Sequence, residues 1–416
     1  MSEHRRVVIT GMGVVSPLGN DIATFWKNIT NGVSGIGPIT HFDVKDYDCK
    51  IAGEVRDFDP VKFFKVPKDV RRADRFVHFA VGAAKMAMED AGFNGPVAEP
   101  ERFGVVIGSG IGGLKTTEDQ HTILMERGPS RLSPFMIPML ISNMASGVVS
   151  MEYGLQGPNF ATISACSTSA HAVGEAWRMI RDGDADAFLA GGSEAAIVPL
   201  GIGGFAAMRA LSTRNNEPTQ ASRPWDRDRD GFVMGEGGGV LVLEELEHAK
   251  KRGARIYAEV AGYGLTADAY HMSAPLPDGA GAKRCMAMAL KKSGLNSEEV
   301  DYVNAHGTST PMGDVCETNA VKLMFGDHAK KLSVSSSKSM TGHLLGAAGV
   351  VETVVCVKTI ETGIVPPTIN LENPSPECDL DYTPLKAKER KVRVALNNSF
   401  GFGGHNATLI VRAFEG

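Results

Sequence analysis

The sequence predicts an α/β fold made of two like halves, and three observations carry that prediction. Short apolar runs rich in Val and Ile alternate with amphipathic runs of helical period along the whole chain. The order of the runs repeats: Arg6 to Thr10 is matched by Arg255 to Tyr263, Phe103 to Ile107 by Val300 to Val303, and Phe160 to Ile163 by Leu332 to Ser337. The third run of each set enters a turn of small residues and then a helix, marked by Val173, Ala176, Trp177 and Ile180 in the first half and by Leu344 to Thr362 in the second. The expected division is 1–253 and 254–416, with a site at the junction.

Composition narrows the function classes. The chain has 416 residues, 43% hydrophobic and 22% charged, as expected of a globular protein with a full core. A net charge of −5 argues against nucleic acid as a partner. The six cysteines, at 49, 166, 285, 316, 356 and 378, show no CxxC spacing, which argues against a zinc site and against a disulfide framework, and no metal-ligating residues are expected. No apolar run reaches about 18 residues, so no membrane span is expected. Met1 to Arg6 carries no apolar leader, and the expected location is cytoplasmic.

In chain order, Arg6 to Thr10 predicts a strand, with Gly11-Met12-Gly13 opening a loop. Asn20 is placed to cap a helix that buries Ile22, Phe25, Trp26 and Ile29. A basic cluster, Lys62, Lys65, Lys68, Arg71, Arg72 and Arg75, precedes a helix with Phe76, Phe79, Ala80, Ala83 and Ala84 inward. The cluster is either a solvated face or a dock for an acidic partner. After Phe103 to Ile107, Gly108-Ser109-Gly110-Ile111-Gly112-Gly113 matches GxGxxG. No strand with a terminal acidic residue follows, so a pocket floor is expected rather than a dinucleotide site. Residues 133–153 read as apolar helical insertions suited to a cavity wall or a subunit contact. Strands are expected at Ala187 to Ala190 and Val240 to Leu243, a helix at Glu244 to Arg252, and two strands around the loop Ser399 to His405. Gly363 and Pro366-Pro367 end the long second-half helix.

Cys166, in Ser164-Ala165-Cys166-Ser167-Thr168, sits where strand turns into helix. At a helix N-terminus the free N–H groups and the dipole favour anions, so a lowered thiol pKa and a ready oxyanion hole are expected. The alternative is a buried structural cysteine. Of eleven histidines, His306 follows a strand in Asn304-Ala305-His306-Gly307-Thr308, and His343 lies with Lys338 on the turn that mirrors the cysteine turn. One thiol and two imidazoles suit a thioester intermediate followed by stabilisation of a second carbonyl, the needs of carbon–carbon bond formation through an enolate.

These stretches resemble the condensing enzymes, in particular the β-ketoacyl-[acyl-carrier-protein] synthases of fatty-acid elongation. The carriers of the resemblance span the chain: Val-Ile-Thr-Gly-Met-Gly-Val-Val-Ser-Pro-Leu-Gly at 8–19, Ala-Cys-Ser-Thr-Ser at 165–169, Arg-Pro-Trp-Asp at 223–226, Asn-Ala-His-Gly-Thr-Ser-Thr at 304–310, Lys-Ser-Met-Thr-Gly-His at 338–343 and Asn-Ser-Phe-Gly-Phe-Gly-Gly at 398–404. The resemblance implies a thiolase-like fold, with two βαβαβαββ halves in a five-layered α-β-α-β-α core. It implies that Cys166 takes the acyl chain and that the Cys166 and Phe402 N–H groups hold the oxyanion. His306 and His343 then bind the malonyl thioester, and Lys338 orders them with Asp314 and Glu317. Phe402 and Phe400 gate the site, Thr308 and Thr310 hold the phosphopantetheine arm, and Ile111 lines the acyl pocket, a branched residue there resembling the type II branch. Lys65, Lys68, Arg71, Arg72 and Arg209 become candidates for docking acyl carrier protein. No permanently bound cofactor is implied, and a homodimer is.

Three rivals differ in what they need. A cysteine hydrolase needs one histidine with an orienting acid and leaves the second histidine turn without a role. A non-catalytic chain-length subunit lacks the cysteine. A polyketide ketosynthase shares the three residues but usually sits in a longer chain or with a partner.

Overall fold

The computed structural model describes residues 4–416. Its large sheet has ten strands: β1 (Val7–Val15), β2 (Phe103–Gly108), β3 (Asn159–Phe160), β4 (Ala187–Glu194), β5 (Gly237–Glu245), β6 (Ala258–Ala267), β7 (Tyr302–Asn304), β8 (Ser333–Ser335), β9 (Val394–Gly401) and β10 (His405–Arg412). The first five stand in the order β3-β2-β4-β5-β1 and the second five in the order β8-β7-β9-β10-β6. Adding five to each label of the first set reproduces the second. The pairings repeat as well: parallel at β2–β3 and β2–β4, antiparallel at β4–β5 and β1–β5, with the same senses in the second set. The sets join through β1 and β6 by only two residue pairs, Val8 with Glu259 and Ile9 with Ala258.

Twelve α-helices accompany them: α1 (Ile22–Thr30), α2 (Arg75–Asp90), α3 (Leu114–Arg127), α4 (Met136–Leu140), α5 (Met144–Tyr153), α6 (Thr168–Asp182), α7 (Pro199–Ala207), α8 (Leu246–Lys251), α9 (Ala280–Ser293), α10 (Pro311–Phe325), α11 (Lys338–Thr341) and α12 (Ala348–Thr362). Helices α6 and α12 pack on each other between the two strand sets. Helices α2 and α5 cover the outer face of one set, and α9, backed by α10, covers the other. Five layers result; one apolar cluster runs through both inner helix–sheet interfaces around α6 and α12, and one fills each outer interface. On α2, Phe76 and Phe79 are wholly buried, each contributing roughly 1.5–3 kcal/mol.

Several sequence expectations change. Gly11 and Gly13 lie inside β1, not in a loop. Helix α2 crosses them so closely that a Cβ would come 2.2 Å from Ala87 O at Gly11 and 2.0 Å from Ala83 O at Gly13. Asp21 caps α1, accepting from Thr24 N at 2.8 Å, while Asn20 donates to Arg56 O. The run from Phe160 to Ile163 is barely strand, since β3 ends at Phe160. Helix α12 begins at Ala348, after a 3-10 turn at Leu345–Ala347.

Candidate active site

Cys166 occupies a 3-10 turn, Ala165–Ser167, directly before α6. Ser167 Oγ donates to Ser399 O and His405 O, both at 2.9 Å, and so ties the turn to the loop between β9 and β10. A Cβ on Gly401 would stand 2.7 Å from Ser164 O and 3.1 Å from Cys166 N, so only glycine lets the two segments meet this closely. The N–H groups of Cys166 and Phe402 favour the thiolate over the thiol. Cys166 is the one partly exposed cysteine; the other five are buried. The expected lowered thiol pKa is not found. Burial pushes the thiol up to about 12, and the Lys338 charge and the two N–H groups only partly oppose it.

His306 leaves the end of β7, its N–H donating to Glu317 Oε1 at 2.9 Å. Gly307 N donates to Glu317 Oε2 at 2.8 Å, and Asn398 Nδ2 to Oε1 at 3.2 Å. His343 follows α11, and its backbone is held by Val233 O and Gly235 N at 2.7 and 2.8 Å. The two rings lie 5.3 Å apart at 86°. Nδ1 of His306 and both ring nitrogens of His343 are buried without a partner among the described residues. Burial and the nearby Lys338 ammonium hold both imidazoles well below the ordinary histidine pKa, so both are neutral at pH 7.

Lys338 departs from expectation in its partner. Its Nζ pairs with Glu352 of α12, both side chains buried. Neither Asp314 nor Glu317 bonds it directly. Asp314 accepts from Trp225 N at 2.8 Å and Ser309 N at 3.2 Å and faces Arg229 at 3.4 Å; burial raises its pKa to about 6. Asp314 and Glu317 therefore brace the loops around the histidines. The signal for Glu352 was present in the sequence, as a lone acid in Val350-Val351-Glu352-Thr353-Val354.

Cys166, His306, His343, Thr308, Thr310 and Phe402 line one cavity of about 460 Å³. Thr308 and Thr310 hydroxyls are 3.1 Å apart. Phe400 sits 5.7 Å from the His306 ring, and Phe402 sits 6.3 Å from Phe205. Phe205 and Phe232, which the sequence reading missed, wall the same space, Phe232 lying 5.5 Å from His343. Ile111 packs in the apolar cluster that holds Cys166, Phe205 and Leu345, outside this cavity's lining. Arg209 is exposed at its edge. Lys65, Lys68, Arg71 and Arg72 are exposed on and beside the 3-10 turn Pro67–Arg72, outside the lining. Arg72 bonds Asp69 and covers Phe135, and Lys65 covers Tyr153.

Among the described residues, no group of three His, Cys, Asp or Glu is arranged to hold a metal ion. Asn304 Oδ1, Asn397 Oδ1, Glu352 Oε2 and Ser399 Oγ are buried without protein partners and are oxygens of the type hard cations take. The N–H groups of Gly110 and Ile111, in the GxGxxG stretch, point at the Glu194 carboxylate, which leaves no phosphate cradle there.

Fold and site together define a thiolase-like condensing-enzyme architecture, and comparison with known proteins agrees. Residues 4–249 match the profile of the beta-ketoacyl synthase N-terminal domain, and residues 257–372 that of the C-terminal domain. The chain is 55% identical over 413 residues to 3-oxoacyl-[acyl-carrier-protein] synthase 2 of Synechocystis sp., covering 99% of each. It is 55% identical over 414 residues to the synthase 2 of Coxiella burnetii, covering 99% of this chain and 100% of that one. Among solved structures, a beta-ketoacyl synthase from Burkholderia phymatum superposes with a TM-score of 0.92 at 34% identity, covering 99% and 100%. A type II polyketide ketosynthase solved with its acyl-carrier protein superposes at 0.92 and 37% identity, with the same coverage. The chain belongs to the beta-ketoacyl synthase family.

Proposed function

We propose that this protein catalyses the decarboxylative condensation that elongates fatty acyl chains on acyl carrier protein. In this reading Cys166 Sγ attacks the acyl thioester, and its proton passes to the leaving pantetheine sulfur as the carbon–sulfur bond forms. With the thiol at about 12, this transfer accompanies attack rather than preceding it. The N–H groups of Cys166 and Phe402 hold the tetrahedral oxyanion. A malonyl thioester then enters past Thr308 and Thr310. Neutral His306 and His343 each donate one N–H to its carbonyl oxygen. Loss of CO2 leaves an enolate whose carbon attacks the acyl-Cys166 carbonyl; the C–S bond breaks, β-ketoacyl carrier leaves, and Sγ regains a proton from solvent.

One observation carries the reading: two buried, neutral imidazoles 5.3 Å apart, with unpartnered nitrogens, line the same cavity as Cys166. A single orienting acid for a hydrolase dyad is missing from either ring among the described residues. Neighbouring structures include a type II polyketide ketosynthase, but 50–55% identity to 3-oxoacyl-[acyl-carrier-protein] synthases 2 against 37% to that neighbour favours fatty-acid substrates.

In this proposal the carrier's acidic surface meets Lys65, Lys68, Arg71, Arg72 and Arg209, and no permanent cofactor takes part. The chain acts in the cytoplasm as a homodimer through 133–153, where Phe135, Ile137 and Ile141 are exposed. Its working halves are 1–253 and 254–416. The test is direct. Wild-type protein given acyl and malonyl carriers should gain an acyl adduct on Cys166 and release CO2, and Cys166→Ala should do neither chain transfer nor condensation. An acyl adduct elsewhere, or no CO2 from wild type, sinks the reading.

A further inference from the structure

The two halves carry matching turns. Ala165–Ser167 opens α6 and Leu345–Ala347 opens α12, and the first residue of each is left-handed, Ala165 at φ 50 and Leu345 at φ 48. Gly346 stands where Cys166 stands. A helix N-terminus of this kind draws an anion. At Cys166 that anion is the substrate's. At Gly346 the protein supplies its own.

Gly346 N donates to Glu194 Oε2 at 3.0 Å. Glu194 ends β4 and is fully buried. Gly110 N reaches the same oxygen at 2.9 Å, while Oε1 accepts from Ile111 N at 3.1 Å and Ser109 Oγ at 2.8 Å. Three of these donors are backbone N–H groups that cannot reverse role; with the Ser109 hydroxyl they favour the carboxylate and oppose the burial that raises its pKa. Glycine is required on both sides. A Cβ on Gly110 or on Gly346 would stand 2.8 Å from Oε2, and one on Gly346 would stand 2.5 Å from Gly110 N. One carboxylate thus joins the loop bearing Ile111 to the turn that follows His343.

We propose that Glu194 is a positioning residue of the condensation site: its carboxylate locks the Ile111 loop and the His343 turn into one unit and occupies the anion site at the start of α12, leaving the Cys166 turn as the one of the two matching helix starts that is open to a substrate oxyanion. Its charge also acts on Cys166, raising the thiol's proton affinity. The proposal rests on Cys166 as the acyl-accepting thiol.

The test compares Glu194→Gln and Ser109→Ala with wild type, using defined short- and long-chain acyl carriers. An amide cannot accept all four donors, so Glu194→Gln should lower kcat/KM for condensation roughly 10- to 100-fold. It should change the ratio of long- to short-chain kcat/KM and, with a negative charge gone, speed iodoacetamide labelling of Cys166 at pH 8. Ser109→Ala keeps the charge, so it should move the chain-length ratio less, in the same direction, with labelling unchanged. A folded Glu194→Gln with wild-type ratio and labelling overturns the proposal. If that variant does not fold, an unchanged ratio in Ser109→Ala overturns it. Failure of wild type to acylate Cys166 condemns the functional reading instead, before either variant is made.

Discussion

Lys338 Nζ pairs with Glu352 Oε1 where the side chains are only 1% and 3% exposed. The pair spans α11 and α12 behind the two histidines. Its ammonium lowers the proton affinity of both imidazoles, and its carboxylate makes an ammonium tolerable in that place.

Removing one partner should therefore cost far more than removing both. Lys338→Met leaves a buried carboxylate alone and should lower stability by about 3–5 kcal/mol in urea unfolding. Adding Glu352→Leu to it should recover most of the loss. A single variant within about 1 kcal/mol of wild type contradicts the pair's burial.

The neutral histidines fix a pH profile. Each imidazole is held well below its ordinary pKa, so the N–H donors keep their state as pH falls through 6.5. Condensation kcat should stay level from about pH 8 to about pH 6. An acid limb centred near 6.5 that vanishes in His306→Asn or His343→Asn would show an ordinary histidine instead.

With the Cys166 thiol at about 12, its labelling by iodoacetamide should climb about tenfold per pH unit between about pH 7 and 9, without a plateau. Mass spectrometry of timed samples reads this directly. A plateau at neutral pH means a resting thiolate and returns the helix N-terminus to the leading place.

Gly401→Ala puts a methyl 2.7 Å from Ser164 O. The β9–β10 loop must then retreat from the Cys166 turn, carrying the Phe402 N–H with it. Acylation should fall about 10²-fold, as for other displaced oxyanion donors, with melting temperature changed far less. Equal acylation rates would remove Phe402 from the oxyanion hole.

Asp186 is gripped by Arg5 and Arg102, which hold its pKa down to about 2. A depressed carboxyl pKa stabilises the fold above the ordinary value of 3.8, and the gain is lost as pH falls from there towards 2. Asp186→Asn should flatten that part of the acid limb in urea midpoints while lowering stability at pH 7. An unchanged limb refutes the assignment.

Much of the fold could be read from residues because its signals are local. The repeat of strand, turn and helix lies in apolar periodicity, and the five strands of the first set recur in the same order and sense in the second. The failures share one cause. Gly11 and Gly13 look like loop residues until α2 is seen lying across them. Glu352 looks like one acid in an apolar helix until Lys338 arrives from another segment. The Cys166 turn predicts a thiolate if only its own helix is considered; burial by residues far along the chain reverses the sign.

The sequence by itself determined most of the element order and the doubling, and it singled out a thiol, two imidazoles and a lysine as candidates, because periodicity and side-chain chemistry need no neighbours. Tertiary structure alone decided which carboxylate meets Lys338, which carboxylate fills the second turn, and what protonation states the site keeps. Those depend on distance and on exclusion of water, and both are set only when segments from the two halves close on one another.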